Sequence, residues 1–302
     1  MTILRIESMK LAGSDRKFAI LNNTILTLVF LTVVYPLYYI LVASISEPNA
    51  VFSGQTFLRP YGFTLEGYAR VFSEPMIIRG YLNSILYTTV GTMVSVSLII
   101  ITAYPLSKKE LPGRRIIMIF YVITMYFSGG LIPTFLVVAQ LGMINSMWAL
   151  ILPGGVAVFN VIVTRVFFET SIPESLYDAA EIDGSSHLQT FFRIAIPLSK
   201  PIIAVMIIFT MVAYWNDWFT ALIFLPSREM APLQLVLRNI LIENQATANM
   251  MGGMAGGFAE ANRITELVRF ASIVVASVPM LIAYPFVQKY FNKGMLLGAV
   301  KG

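Results

Sequence analysis

Long, strongly apolar stretches of this chain contain no Asp, Glu, Lys or Arg: residues 18–46, 80–107, 116–164, 201–216 and 270–288. A helix needs roughly 20 apolar residues to cross the hydrocarbon core of a bilayer, and a core helix of a water-soluble protein rarely exceeds about 14. The charge-free runs therefore argue against a soluble globular domain. The 116–164 run is long enough for two crossings, joined by a short turn around Gly142 to Ser146. The sequence predicts an all-α membrane protein with six transmembrane helices, near 18–45, 80–107, 116–134, 147–168, 201–225 and 269–290. Composition agrees, since only 12% of the residues are charged, against about 25% in an ordinary soluble domain.

The first apolar run far exceeds the 7–15 residues typical of a signal peptide, so it is expected to remain as a helix. The chain has no cysteine and one histidine, His187. Without cysteine there is no thiol nucleophile, disulfide or Cys-based metal site. The expectation is a non-catalytic chain with no metal site.

Lys and Arg are distributed unevenly over a six-span layout. Fourteen lie on one side: Arg5, Lys10, Arg16, Lys17, Lys108, Lys109, Arg114, Arg115, Arg165, Arg193, Lys200, Lys289, Lys293 and Lys301. Seven lie on the other: Arg59, Arg70, Arg79, Arg228, Arg238, Arg263 and Arg269. Positive residues mark the cytoplasmic face, so both termini are expected inside, as an even span count also requires. Two long outer loops follow, about 46–79 and 226–268. The second holds the run Met250 to Gly257, MMGGMAGG. A phosphate loop would need a Lys after its glycines; this run has none, and it lies on the side away from ATP. It is expected to be a flexible outer loop.

The connection between spans four and five, Glu169 to Pro201, carries clear punctuation. Ser171 and Glu174 have the spacing of a capping box, with Pro173 in the first turn, where a missing N–H costs little. A short helix is expected over about 172–183. Gly184 stands where a left-handed stop is wanted. Ser185 can cap a second short helix toward Phe192, and Pro197 and Pro201 precede span five. Leu176, Ala179, Ala180 and Ile182 supply small or apolar groups, and Asp178, Glu181 and Asp183 supply charge. Such a corner can dock into a cleft of a partner or fold back on its own bundle; its residues alone allow both.

The segment resembles the EAA loop of binding-protein-dependent ABC importers, which reads E-A-A, three residues, G, nine residues, I-x-L-P. Here it is Asp178-Ala179-Ala180, three residues, Gly184, nine residues, then Ile194-Ala195-Ile196-Pro197. Asp replaces Glu and Ile replaces Leu, so no particular salt-bridge geometry carries over. The resemblance implies a MetI-like ABC importer permease fold in the bacterial inner membrane. It implies a coupling helix seated on an ATP-binding subunit, with Glu174, Tyr177, Asp178, Ala179, Ala180, Asp183, Gly184, Ile194 and Pro197 as coupling residues. It also implies the partners: a second homologous permease, two ATP-binding subunits that hold ATP and Mg, and an extracytoplasmic solute-binding protein. The layout is a cytoplasmic segment 1–17, a permease domain 18–291 with the coupling loop at 169–200, and a tail 292–302.

The last residues, Val300-Lys301-Gly302, are similar to the tail of MalG-type carbohydrate permeases, which implies a contact with the ATPase subunits. Read without the resemblance, they are a basic chain end beside the membrane. Tyr126-Phe-Ser128-Gly-Gly-Leu-Ile-Pro133 looks like the LplC- or YtcP-type branch of those permeases. That likeness implies an oligosaccharide cargo drawn from plant or algal polysaccharide.

Candidate path residues follow from chemistry. Ionisable groups within a span are functional candidates by default, and sugars are held by aromatic faces with a few polar groups among them. Tyr214, Trp215, Asn216, Asp217 and Trp218 offer both, with Tyr126 and Ser128 as weaker candidates in span three. At 100° per residue, Asn216 is expected to face away from Tyr214 and Trp218. The same cluster could instead be an interfacial aromatic belt, with Asp217 paired to an outer arginine. His187 is expected on the surface. Three rival readings fit the sequence less well. A membrane-embedded enzyme lacks clustered acids or histidines. A secondary transporter would show inverted repeats and paired in-membrane charges. An ABC permease for an amino acid or peptide is opposed only by the tail and span-three likenesses.

Overall fold

The computed structural model describes residues 13–251 and 257–298. Among the described residues the chain is helical throughout, with no strand. Helix α1 (Gly13–Ser44) is followed by two short helices, α2 (Pro48–Phe52) and α3 (Glu66–Ser73), and by the long α4 (Met76–Ser107). Next come α5 (Arg114–Tyr126), α6 (Leu131–Gln140), α7 (Trp148–Ile151) and α8 (Val158–Ser171). The corner holds α9 (Glu174–Ile182), α10 (His187–Thr190), a π-turn over Phe191–Ala195 and α11 (Ile196–Leu198). The chain continues through α12 (Lys200–Asn216), α13 (Phe219–Phe224), a 3₁₀ turn at Arg228–Met230, α14 (Leu233–Met251) and α15 (Gly257–Gly298).

Three of these helices are long and apolar enough to cross a membrane: α1, α4 and α15. The other expected spans are broken. The span expected over 116–134 bends by 114° between α5 and α6. The break falls at Ser128-Gly129-Gly130, where the Ser128 hydroxyl accepts from the Gly130 N–H and Gly130 takes a positive φ of 86°. The span expected from 147 begins as α7, stops at Pro153-Gly154-Gly155 and resumes as α8, whose 14 residues cover roughly 21 Å. The span expected over 201–225 stops at Asp217 and restarts as α13. In each case residues that favour leaving the helix sit inside an apolar run, which hydropathy alone averages away. The described residues of the 226–268 segment are largely helical, in α14 and the start of α15. Met250 and Met251 close α14, and Gly257 opens α15; Gly252 to Gly256 lie outside the described residues.

Helix α4 is the hub, packed against α8, α12 and α14. Its buried face is lined with small and hydroxyl residues, Gly80, Ser84, Thr88, Gly91, Thr92 and Ser95. Such residues let helices approach closely where no water drives them together. A Cβ on Gly80 would lie 3.1 Å from the Leu233 backbone, and one on Gly91 would lie 2.8 Å from the Tyr214 ring. The 228–233 turn is pinned to α4 by hydrogen bonds. Asn83 donates to the carbonyls of Glu229 (2.9 Å) and Ala231 (3.0 Å), Tyr87 donates to Met230 O, and the Leu233 N–H donates to the Ser84 hydroxyl at 2.8 Å.

Two large apolar cores result, besides a small cluster of Val138, Ala149 and Phe224. One gathers Val71, Ile77, Trp215, Leu233, Val268 and Val275; the other gathers Ile99, Tyr104, Phe168, Phe191 and Met206. Helix α1 joins neither and packs on α15, as where Tyr39 meets Phe270 edge-on at 6.2 Å. Most of its apolar side chains stay uncovered, with Phe18 71% and Leu28 60% exposed. An apolar surface of that extent needs lipid or another subunit against it.

Candidate functional site: an interhelical cavity and a capped corner

A cavity of about 620 Å³ lies where the breaks converge, between α4, α6, α8, α12 and α13. Its floor and walls mix apolar rings and aliphatics, Leu131, Phe209, Phe219 and Phe224, with Ser95, Ser128, Asn160, Thr210, Tyr214, Asn216, Asp217 and Thr220. Most of the polar groups are already held. Thr210 donates to its own helix at Met206 O (2.8 Å) and Asn216 donates to Val212 O (2.9 Å). The Tyr214 hydroxyl donates to Ile151 O at 3.2 Å and meets the Ser95 hydroxyl at 2.8 Å, which clasps α4, α7 and α12 around the cavity. Asn160 differs. It is 8% exposed, it lines the cavity, and its side-chain amide makes no hydrogen bond among the described residues. An amide so placed offers two donors and an acceptor to the cavity.

Four of the sequence-predicted path residues reach this cavity: Ser128, Tyr214, Asn216 and Asp217. Tyr214 and Asn216 line it together, which corrects the expectation that Asn216 faces away from Tyr214. A side chain two residues on is 200° around an ideal helix, but Asn216 is the last residue of α12, and the chain turns there. Trp215 points the other way, buried in the first core with its indole N–H donating to Ala276 O at 3.1 Å. Trp218 lies under the Arg238 guanidinium, 4.4 Å from ring to charge. Tyr126 is 73% exposed and off the cavity. Asp217 pairs with no arginine among the described residues. Its Oδ1 accepts from the Thr220 N–H at 3.0 Å, capping α13. The residues that sequence reasoning missed are Ser95, Asn160, Thr210 and Thr220. Their signal was present, as single polar residues inside apolar runs, but nothing in the sequence said which faced the same space.

Hence a prediction about Asp217. Asparagine caps a helix about as well as aspartate, while alanine forfeits roughly 1 kcal/mol. Asp217→Asn is therefore expected to keep near-normal uptake in reconstituted transporter, and Asp217→Ala to lower thermal stability and uptake together. A large loss in the Asn variant would mean that the charge itself is used.

The corner at the other end of the bundle is equally constrained. The capping box expected from Ser171 and Glu174 does not form. Helix α8 runs on through Ser171, Pro173 takes the cap position without a side-chain bond, and Glu174 instead pairs with Lys109 at 3.3 Å. A capping box forms instead at the start of the next helix, α10: the Gln189 N–H donates to the Ser186 hydroxyl, and the Ser186 N–H donates to the Gln189 side chain. The cap is thus Ser186, one residue beyond the expected Ser185. Gly184 ends α9 with φ 74°, and the next N–H, from Ser185, reaches back to Ala180 O at 2.9 Å.

Beneath the corner, Tyr104 contacts Phe168 and Phe191 with ring centroids 5.5 and 4.8 Å apart. Tyr177 lies under the Lys108 ammonium, 2.8 Å from nitrogen to ring centroid. Burial pushes the Lys108 ammonium below its usual value, partly offset by Glu110, Glu174 and Asp178, and burial pushes the Tyr177 phenol up, with Tyr104 adding to it. Ala180 is buried, and Ile194 is half-buried. Asp178, Ala179, Asp183, Gly184, His187 and Pro197 are exposed. So are three large apolar side chains, Ile182 at 87%, Leu188 at 70% and Phe192 at 64%. The corner is fixed from below and leaves an apolar face uncovered. Val300, Lys301 and Gly302 lie outside the described residues. Among the described residues no three His, Asp or Glu side chains gather as a metal site would need.

Comparison with known proteins places this architecture. The chain is 41% identical over 288 residues to the polygalacturonan/rhamnogalacturonan transport system permease protein YtcP of Bacillus subtilis, covering 95% of this chain and 99% of that one. It is 39% identical to protein LplC of the same organism, over 98% and 99% of the two chains. The crystal structure of a bacterial ABC transporter involved in the import of the acidic polysaccharide alginate contains a chain that superposes with a TM-score of 0.78 at 34% identity, covering 93% of this chain and 98% of that chain. Residues 72–297 match the family described as binding-protein-dependent transport system inner membrane component. The chain therefore belongs to the binding-protein-dependent transport system inner membrane components, the permease subunits of ABC importers.

Proposed function

We propose that this permease carries an acidic oligosaccharide, delivered by an extracytoplasmic solute-binding protein, across the bacterial inner membrane along a path walled by the α4–α8–α12 cavity. The observation that carries the reading is the unpartnered Asn160 amide in a cavity of alternating rings and hydroxyls, which is the chemistry that holds sugars. The relatives named for polygalacturonan, rhamnogalacturonan and alginate support an acidic cargo. Among the described residues Asp217 is the one charged side chain on the cavity wall, and it would repel a uronate, so its capping bond suits a structural part. Cations for the cargo's carboxylates would come from a second homologous permease across the path.

The reading includes six crossings, with both termini and the α9–α10 corner on the cytoplasmic side: α1, α4 and α15 are long and apolar enough to cross, the bent α5–α6 run and the α12 run would add two, and α7–α8 would be the sixth. The corner seats on an ATP-binding subunit, contributing Glu174, Tyr177, Asp178, Ala179, Ala180, Asp183, Gly184, Ile194 and Pro197; the tail residues Val300, Lys301 and Gly302 reach the same subunits. ATP and Mg sit on those subunits, and closure of their dimer rocks the permease between two states. Purification of the complex, identification of its subunits, and uptake of labelled oligogalacturonate with and without ATP test this reading. Uptake by this chain alone would overturn it. Asn160→Leu, which keeps the branched shape and removes the amide, is expected to cut uptake by roughly tenfold, as a lost buried hydrogen-bonding group should; ATPase activity in the absence of cargo stays unchanged.

A further inference from the structure

A second hollow, of about 580 Å³, opens between the start of α5 and the facing part of α8, away from the first cavity. Three arginines line one end, Arg114, Arg115 and Arg165, while Met118, Ile119 and Ile162 belong to its apolar side. Two of the guanidiniums, those of Arg114 and Arg165, face a single carboxylate. Glu169 accepts from Arg165 through Nε (3.0 Å) and Nη2 (2.8 Å), and its same oxygen lies 3.5 Å from Arg114 Nη1. That Arg114 nitrogen is buried and makes no hydrogen bond. Arg115 has no carboxylate partner among the described residues. Both Arg114 and Arg115 stand in the first turn of α5, where the helix dipole disfavours cations. A positive surplus in an unfavourable place, opening onto apolar wall, calls for an anion that also has an apolar body.

We propose that this hollow binds an anionic phospholipid, its phosphate on the Arg115 and Arg114 guanidiniums and one acyl chain along Met118, Ile119 and Ile162. A free phosphate would leave the apolar side empty. Basic pockets between membrane helices on the cytoplasmic side, where anionic lipids concentrate, have the charge and position for such headgroups. The inference rests on the cytoplasmic placement of this end, and not on the cargo or on the path.

The test uses the assembled transporter in detergent, titrated with phosphatidylglycerol or phosphatidylcholine, with bound lipids counted by native mass spectrometry. Wild type is expected to prefer phosphatidylglycerol. Arg115→Gln should weaken that binding about fivefold, the worth of one cation near an anionic headgroup, with phosphatidylcholine binding unchanged. Ile119→Trp fills the apolar side without altering charge, and should weaken it as well. Equal phosphatidylglycerol binding by wild type and Arg115→Gln overturns the proposal. So does displacement by inorganic phosphate with Ile119→Trp unaffected, which would mark a free-anion site. So does loss of the second permease from the Arg115→Gln complex, which would make the hollow a subunit interface. Sidedness is read separately by Glu110→Cys, labelled in a chain that has no other cysteine. Labelling from outside would overturn the orientation, while the lipid counts report on the hollow itself.

Discussion

Gly184→Val is expected to abolish most ATP-driven uptake while the transporter still assembles and the membrane helices keep their thermal stability. Gly184 sits at φ 74°, a conformation that costs a residue with a Cβ roughly 1–2 kcal/mol, with β-branched side chains worst placed to adopt it. A Cβ there would meet nothing within 4 Å, so the effect is conformational rather than a clash. If the helix stop fails, the Ser185 N–H loses Ala180 O, and α10 with its Ser186–Gln189 box no longer follows α9 at the same angle. The exposed Ile182, Leu188 and Phe192 then present a different face. A strain of this size shifts a two-state docking equilibrium by on the order of tenfold. Gly184→Asn is the control, since asparagine tolerates the left-handed region. Uptake and ATPase activity are measured together on reconstituted complex. Strong uptake loss in the valine variant, with ATPase activity no longer stimulated by the loaded binding protein, supports coupling through this corner. Normal uptake in both variants would remove it.

The second large effect is expected at Gly91→Val. A Cβ at this position would lie 2.8–2.9 Å from three atoms of the Tyr214 ring, closer than packed carbons allow, so the ring must move. Overpacking of this kind costs roughly 1–3 kcal/mol. Moving the ring also breaks the Tyr214 hydroxyl's bonds to Ser95 and Ile151, each worth about 1 kcal/mol, and pushes the side chain into the cavity. Uptake should fall by tenfold or more, with a measurable drop in melting temperature. Tyr214→Leu removes the ring and restores the room. In the double variant Gly91→Val/Tyr214→Leu the two losses should therefore be far from additive, because both changes act at one contact. Simple additivity would mean that the approach of α4 to α12 does not control the path. Tyr214→Phe separates the terms, since it keeps the ring and forfeits only the hydroxyl's bonds.

The two sites were legible in the sequence to different degrees, for a physical reason. The corner is built from local chemistry. Gly184, the prolines and the serine cap act within one or two turns, so their spacing could be read along the chain. Even there the cap moved, because α8 continued through Ser171 and Glu174 found Lys109, a partner 65 residues away. The cavity was only half legible. The polar and aromatic run at 214–218 drew attention to α12, but the helix end at Asp217 sent Trp215 to the core, Trp218 to Arg238 and Tyr214 to the cavity.

The charge-free runs, by themselves, determined that this chain belongs in a membrane, since no soluble fold can cover so much apolar surface. The resemblance of Asp178 to Pro197 to the EAA loop pointed to the importer family. Tertiary structure alone decided where the spans break and what the breaks enclose. A helix end in an apolar run changes hydropathy little, yet it turns the chain and frees a polar face. Only the packing of α4, α8 and α12 brings Ser95, Asn160 and Thr210 around one space. Those contacts join residues far apart in the chain, and no local pattern encodes them.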